Sequence, residues 1–307
     1  MTTSTVVAVL TYRRPDQLRL LLPELVRQAS GRAEIRVLVI DNEPTASGAL
    51  VVEALHDPAV RYVHEPRPGI AAARNRALDE SADDDVLVFI DDDEWPSATW
   101  LDSLLAVHSR TPCAAVVGPV VSEFAAEPDA WVAAGRFFDR RRLQTGTHVE
   151  VAATNNLLLD LRQVRALGLR FDEDFGLSGG SDTLFTRELC RRGGTLVWCD
   201  DAVVVDQVPP ERLTRRWVLL RALRSGNSWS RSSTKISTSA AERARVRLQL
   251  TGRGALRTAT GGAQFVGGWV VRSRPHQARG LRTAARGTGM LSGAYGYVYS
   301  EYRRRPS

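Results

Sequence analysis

The run Val86-Leu87-Val88-Phe89-Ile90-Asp91-Asp92-Asp93-Glu94-Trp95-Pro96 joins an apolar segment directly to four carboxylates. Its first five residues have the length and the β-branched, aromatic character of a fully buried strand. In an open α/β sheet, ligands bind at the carboxyl ends of the strands. Four carboxylates gathered there repel one another unless a cation lies among them. Asp91 and Asp93, two residues apart, can share a face and offer hard oxygen donors suited to Mg²⁺ or Mn²⁺. The same tetrad would also serve as a solvated turn capping a helix near Pro96, and spacing alone leaves both open.

Toward the N-terminus the pattern alternates. Strands are expected at Thr5–Leu10, Ile35–Ile40 and Val60–Val63, and helices from Pro15, over Gly48–Leu55 and over Ile70–Ser81. Such alternation predicts an α/β fold, a mostly parallel sheet with helices on both faces. Ile40-Asp41-Asn42 is then a second acidic strand end, on the same edge as Asp91 and able to hydrogen-bond a base or ribose. In Arg67 to Arg76, small residues share a helix with Arg74 and Arg76, which suit phosphate or, equally, an ion pair to Asp79 or Glu80. Neither a GxGxxG after the first strand nor a Walker motif is present, so dinucleotide dehydrogenases and P-loop enzymes lack their signature.

Toward the C-terminus, Ala114–Phe124 predicts a strand pair broken at Gly118-Pro119. Glu127–His148, polar and arginine-rich, reads as a mobile loop or lid. Asn155, Asn156 and Leu157–Leu159 lead into a helix at Leu161–Leu167. A glycine- and aspartate-rich loop, Asp172–Asp182, precedes a helix from about Thr183 to Arg191. Thr195–Trp198 and Ala202–Val205 read as the last strands, with a joint at Asp206-Gln207-Val208-Pro209-Pro210.

The 307 residues carry a formal net charge of +6, unevenly spread. From Glu211 onward there are 20 basic and three acidic residues; before it, 21 basic and 32 acidic. Two modules are expected: residues 1–207 and a basic, mainly helical region 208–307. In the latter, helices are read at Leu213–Arg224 and, as one or two, at Ala240–Arg257. A serine-rich loop is read at Ser225–Ser239, and the most apolar piece is Phe265–Val271. That piece suits either the core of a helical subdomain or peripheral contact with an anionic membrane surface; a homodimer contact is the third option. Nucleic-acid binding is not expected, because aromatic residues do not interleave with the arginines. Three cysteines are too few for a disulfide scaffold. No signal-peptide order and no apolar run of membrane-spanning length occur, so a cytoplasmic protein, peripheral at the inner face of the cell membrane at most, is expected.

Several motifs then fall in one order: Thr11-Tyr12-Arg13-Arg14, Val39-Ile40-Asp41-Asn42, Gly69 to Asn75, Asp91-Asp92-Asp93, Thr154-Asn155-Asn156, Phe171-Asp172-Glu173 and Gly179-Gly180-Ser181-Asp182. Together they resemble the family 2 glycosyltransferases, inverting enzymes of the GT-A fold, over roughly residues 5 to 225. The resemblance implies a Rossmann-like, mostly parallel sheet with flanking helices, a nucleotide-diphospho-sugar donor and a divalent metal, Mg²⁺ or Mn²⁺. By it, Asp41 contacts the base, with Thr11, Tyr12 and Arg13 lining the same pocket. Asp91 binds ribose or metal-bound water, Asp92 lies on the donor side, Asp93 ligates the metal and Arg74 holds the diphosphate. Asp182 is the general base, and Asn155, Asn156, Gly179, Gly180 and Ser181 are acceptor-side candidates. The acceptor implied is a hydroxyl, lipid-linked or on a secondary metabolite. Two positions depart from the family: Ser181 stands where glutamate is usual, and Asp206, a candidate metal ligand, where many members carry histidine. A nucleotidyltransferase is the rival enzyme class, and a degenerate sugar-nucleotide-binding protein the non-enzymatic one.

Overall fold

The computed structural model describes residues 3–299, so the first two and last eight residues of the expected modules lie outside it. The strands are β1 (Thr5–Thr11), β2 (Ile35–Asp41), β3 (Val60–His64), β4 (Val86–Asp91), β5 (Glu94–Pro96), β6 (Ala115–Val117), β7 (Val120–Phe124), β8 (His148–Val149), β9 (Asn156–Asp160), β10 (Leu196–Trp198) and β11 (Val204–Val208). The helices are α1 (Pro15–Ala29), α2 (Ala49–Leu55), α3 (Ile70–Glu80), α4 (Trp100–Arg110), α5 (Ala130–Gly135), α6 (Leu161–Ala166), α7 (Ser181–Arg191), α8 (Arg215–Ile236), α9 (Ala240–Val270) and α10 (Arg274–Ala294). Short 3₁₀ turns cover Glu173–Phe175 and Pro210–Leu213.

Two compact units divide the chain. One holds residues 1–121, 140–176 and 181–207 around an eight-stranded sheet ordered β3-β2-β1-β4-β9-β6-β10-β8. β1 runs parallel to β2 and β4, with Thr11 opposite Asp41 and Leu10 opposite Asp91. The period-2 alternation of side chains sends Val7, Val9 and Val88 to a layer with Leu18, Leu22 and Trp100. Ala8, Leu87 and Phe89 face the other layer, with Ala73, Ala77 and Phe185. Burial on both faces explains why these strands read as continuous apolar runs.

Three strands are missing from the sequence reading, the short β5 and β8 and the central β9. Asn156–Asp160 leads into α6 as expected, but it is itself a fully buried strand lying antiparallel between β4 and β6. Four apolar residues bounded by polar ones do not distinguish the two cases. A second antiparallel pair joins β5 to β11, with Glu94 opposite Asp206.

The expected lid, Glu127–His148, carries the helix α5 and reaches β8 through an irregular stretch. Asp129 caps α5 by accepting hydrogen bonds from the Trp131 and Val132 amides at 2.7 and 2.9 Å. Trp131, Val132 and Phe138 are buried. Further on, the Arg142 guanidinium donates to the Asp200 carboxylate at 2.7 and 2.9 Å.

The other unit comprises residues 122–139, 177–180 and 208–307. Its serine-rich stretch is not a loop: α8 runs unbroken through it, with Gly226, Asn227, Ser230 and Ser233 buried. Small side chains let helices approach until their backbones touch. A Cβ on Gly226 would lie 2.0 Å from the Arg286 carbonyl oxygen, and one on Gly289 would lie 1.9 Å from that of Leu223. Arginines and aromatics that are apart in sequence do interleave in space. Arg221 lies over Phe138 and Trp217, Arg282 over Phe137, and Arg215 over Trp131. Of the apolar piece read as subdomain core, membrane contact or dimer contact, Val266, Trp269, Val270 and Val271 are exposed.

Candidate active site

Three strand ends assemble the site. β1 delivers Thr11, β2 delivers Asp41 and β4 delivers Asp91, all at the carboxyl edge. Asp41 is fully buried: one carboxylate oxygen accepts from the Glu43 amide at 2.9 Å, the other from the Gly48 amide at 2.8 Å and the Tyr62 hydroxyl at 3.1 Å. Its charge is thus absorbed in shaping the loop after β2. Asn42 extends this frame. Its amide donates to the Glu65 and Arg67 carbonyls at 2.7 and 2.6 Å, and its oxygen accepts from the Gly69 amide at 3.0 Å. Gly69, at φ 114°, packs on the Gly176 backbone and starts α3.

α3 gives the two candidate cations different partners. Arg76 pairs with Glu80 at 2.8 Å, the bland alternative. Arg74 is buried over the Phe171 ring, and its Nη1 donates to Ser181 Oγ at 2.5 Å. Ser181 is fully buried at the start of α7, and Asp182 follows it in the first turn, half-buried, accepting from the Thr183 amide at 2.7 Å. In the helical unit, Gly179 and Gly180 both have positive φ, 76° and 94°, and the Gly179 carbonyl accepts from Ser228 Oγ at 3.3 Å.

The acidic tetrad divides by partner. Asp92 turns inward, accepting from Thr11 Oγ1 at 2.8 Å and Arg14 Nη1 at 2.9 Å. The same Arg14 nitrogen lies 2.7 Å from Asp93 Oδ2. Burial alone would lower the Arg14 pKa, but the two carboxylates raise it well above the usual range. Desolvation, and then the charge of Asp93, pushes the Asp91 carboxyl up to about 7, with Arg74 pulling the other way. Burial and the charges of Asp91 and Asp206 hold Glu94 well above the usual carboxylate range, against a hydrogen bond from the Asn155 amide. Tyr12 and Arg13 flank the edge: Arg13 lies over the Tyr12 ring and pairs with Glu43 at 3.4 Å.

Two candidates are engaged otherwise than expected. Asn156 is not available to an acceptor: its oxygen accepts from Trp100 Nε1 at 2.9 Å, and its amide donates to the Pro119 and Ala202 carbonyls at 2.9 and 2.7 Å. It clamps β9 in place. Asp206 pairs with Arg140 at 2.6 Å. Arg14, Arg140 and Glu94 are the residues that sequence reasoning passed over. The Thr11 to Arg14 and Asp91 to Glu94 runs contained the first and last, but nothing in the sequence links Arg140 to Asp206.

The donor set suits an ion of the Mg²⁺ and Mn²⁺ class. Carboxylate oxygens are hard donors, and Asp91 and Glu94 are raised first by burial and then by neighbouring carboxylates, a repulsion that a cation would offset. Among the described residues, no group of three or more His, Cys, Asp or Glu side chains could hold a metal ion unaided. Such ions often take one or two carboxylates and complete their shell with substrate phosphate and water.

Residues 6–161 match the family model described as Glycosyl transferase family 2. The chain belongs to this family. It is 35% identical over 228 residues to the succinoglycan biosynthesis protein ExoM of Rhizobium meliloti (strain 1021), covering 73% of this chain and 74% of that protein. Its fold is similar to that of the mannosyltransferase PcManGT from Pyrobaculum calidifontis, solved with GDP-Man and Mn²⁺. That likeness has a TM-score of 0.61 at 19% identity and covers 94% of this chain and 87% of the other. It is also similar to S. aureus TarS 1–349 solved with UDP-GlcNAc (TM-score 0.52, 15% identity, 93% and 92% covered). The family 2 chain therefore has the GT-A fold, followed by the helical region of α8 to α10.

Proposed function

We propose that this family 2 glycosyltransferase moves a sugar from a nucleotide-diphospho-sugar to an acceptor hydroxyl with inversion, assisted by Mg²⁺ or Mn²⁺. The observation that carries the proposal is the Asp91–Asp93 carboxylate edge with Arg74 reaching from α3 to the start of α7. In this reading residues 1–207 carry donor binding and chemistry, and 208–307 serve acceptor contacts. The similar structures solved with GDP-Man and UDP-GlcNAc support a nucleotide sugar as donor, and the likeness to a succinoglycan biosynthesis protein supports a polysaccharide intermediate as acceptor; a secondary metabolite would satisfy the same chemistry.

Thr11, Tyr12 and Arg13 line the nucleotide pocket, and Asp41 acts there through the loop it organises. Asp93, with Asp91, would hold the metal, which when bound supplies positive charge to the departing diphosphate. Arg74 adds a fixed cation beside the same phosphates. Asp182, in the first turn of α7, takes the proton of the attacking hydroxyl, and the helix end favours the carboxylate form. Attack from the face opposite the diphosphate inverts the anomeric centre. Asn155, Gly179 and Gly180 remain candidates for acceptor contact, whereas Ser181, fully buried, serves to hold Arg74. Asp206 is tied to Arg140 and acts on the field at Glu94 rather than as a ligand.

Asp182→Asn tests the base. Turnover should fall by about 10²–10⁴-fold while nucleotide affinity in the presence of Mn²⁺ stays at the wild-type value. Unchanged turnover would remove Asp182 from the mechanism, and nucleotide binding with no turnover in the unaltered protein would favour a binding protein.

A further inference from the structure

We propose that the outer face of α9, together with the turn after it, docks on an anionic lipid surface. On one side of this 31-residue helix, Leu250, Gly254, Gly261 and Gly268 are buried. A Cβ on Gly261 would lie 2.4 Å from the Ala284 amide nitrogen, and one on Gly268 would lie 2.7 Å from that of Gln277, so this side is pressed against α10. The helical repeat places Leu248, Ala255, Ala259, Val266 and Val270 on the opposite side, all exposed. At its end Val266, Trp269, Val270 and Val271 are 58%, 69%, 69% and 68% exposed and lie within one and a half turns.

Contiguous exposed apolar surface of this kind marks an interaction site. The charge around it identifies the occupant. Between Glu242 and Glu301 the chain has ten arginines and not one carboxylate. Arg272 and Arg274, both exposed, border the apolar end directly. A second copy would bring the same cations face to face, and like charges oppose that contact. An anionic bilayer answers both features: headgroups neutralise the arginines, and the acyl boundary takes up the valines with Trp269 at the interface. No helix among the described residues is long and apolar enough to cross a membrane, so α9 would lie on the surface.

Co-sedimentation of the full chain with vesicles tests this at physiological salt. Phosphatidylglycerol–phosphatidylcholine vesicles should retain the protein, phosphatidylcholine alone should not, and high salt should weaken retention. The triple variant Val266→Ser, Trp269→Ser, Val270→Ser should partition more than about tenfold less. The pair Arg272→Glu, Arg274→Glu should weaken retention on anionic vesicles only. Circular dichroism and nucleotide titration of the variants should match the wild type, which separates this surface from the donor site. Equal retention on neutral vesicles, no retention on either, or wild-type retention of the triple variant would overturn the proposal. So would a wild-type dimer that the triple variant converts to monomer.

Discussion

Arg14 is the residue that most changes the view of the acidic edge. One guanidinium neutralises both Asp92, which is buried, and Asp93, the proposed metal ligand. Its removal leaves Asp92 without its cation in a desolvated position, while Thr11 still donates to it. Arg14→Ala should therefore destabilise the fold by about 1–3 kcal/mol at pH 8, discounted for the partial exposure of the arginine. The loss should shrink as pH is lowered from 8 toward 5, because burial raises the Asp92 carboxyl and removal of Arg14 raises it further. Denaturant unfolding at the two pH values measures both. Asp91 supplies the second expectation. Its pKa of about 7 lies above the unfolded value, so between the two the folded chain binds the extra proton and stability falls as pH rises. Mn²⁺ binding should displace that proton below pH 7 and weaken as pH falls. Calorimetry in buffers of different ionisation enthalpy would count the proton; a pH-independent affinity would contradict this assignment.

At the scale of elements, glycine positions separate two kinds of helix contact. Gly289→Ala would drive a Cβ into the Leu223 carbonyl of α8 and should cost about 2–4 kcal/mol. Gly252→Ala, with nothing near its Cβ, should stabilise α9 by roughly 0.5–1 kcal/mol. Thermal unfolding of the two variants gives shifts of opposite sign. The same packing explains where sequence and structure part. The alternation from β1 to β4 was legible because each strand is a buried β-branched run bounded by turn residues. The stretch from Ser225 was not, since serine is a poor helix former in isolation and becomes compatible here only because small residues let α8 meet α10. β9 was hidden for another reason: Asn156 to Asp160 acquires its strand partners from residues far away in sequence. In the site, Asp41 and Asp91 could be placed on one edge from the parallel pattern alone. The opposition of Glu94 to Asp206 arises from the β5–β11 pairing, and Arg140 reaches Asp206 from the stretch after α5; no local signal announced either.

At the scale of the whole molecule, charge and chemistry are segregated along the chain. Acidic residues exceed basic ones before Glu211, where the carboxylate edge lies, and the long arginine-rich helices follow it. A net negative segment proposed to bind a diphosphate needs its cations placed locally, and Arg14 and Arg74 are so placed. The central claim is that this edge takes a nucleotide diphosphate together with a divalent ion. Calorimetric titration with UDP, GDP and dTDP, each with and without Mn²⁺, on the wild type and on Asp93→Ala tests it most directly. The account predicts that one nucleotide binds the wild type only with Mn²⁺ and that Asp93→Ala abolishes this binding. Binding of equal strength without metal, or undiminished in Asp93→Ala, would contradict it.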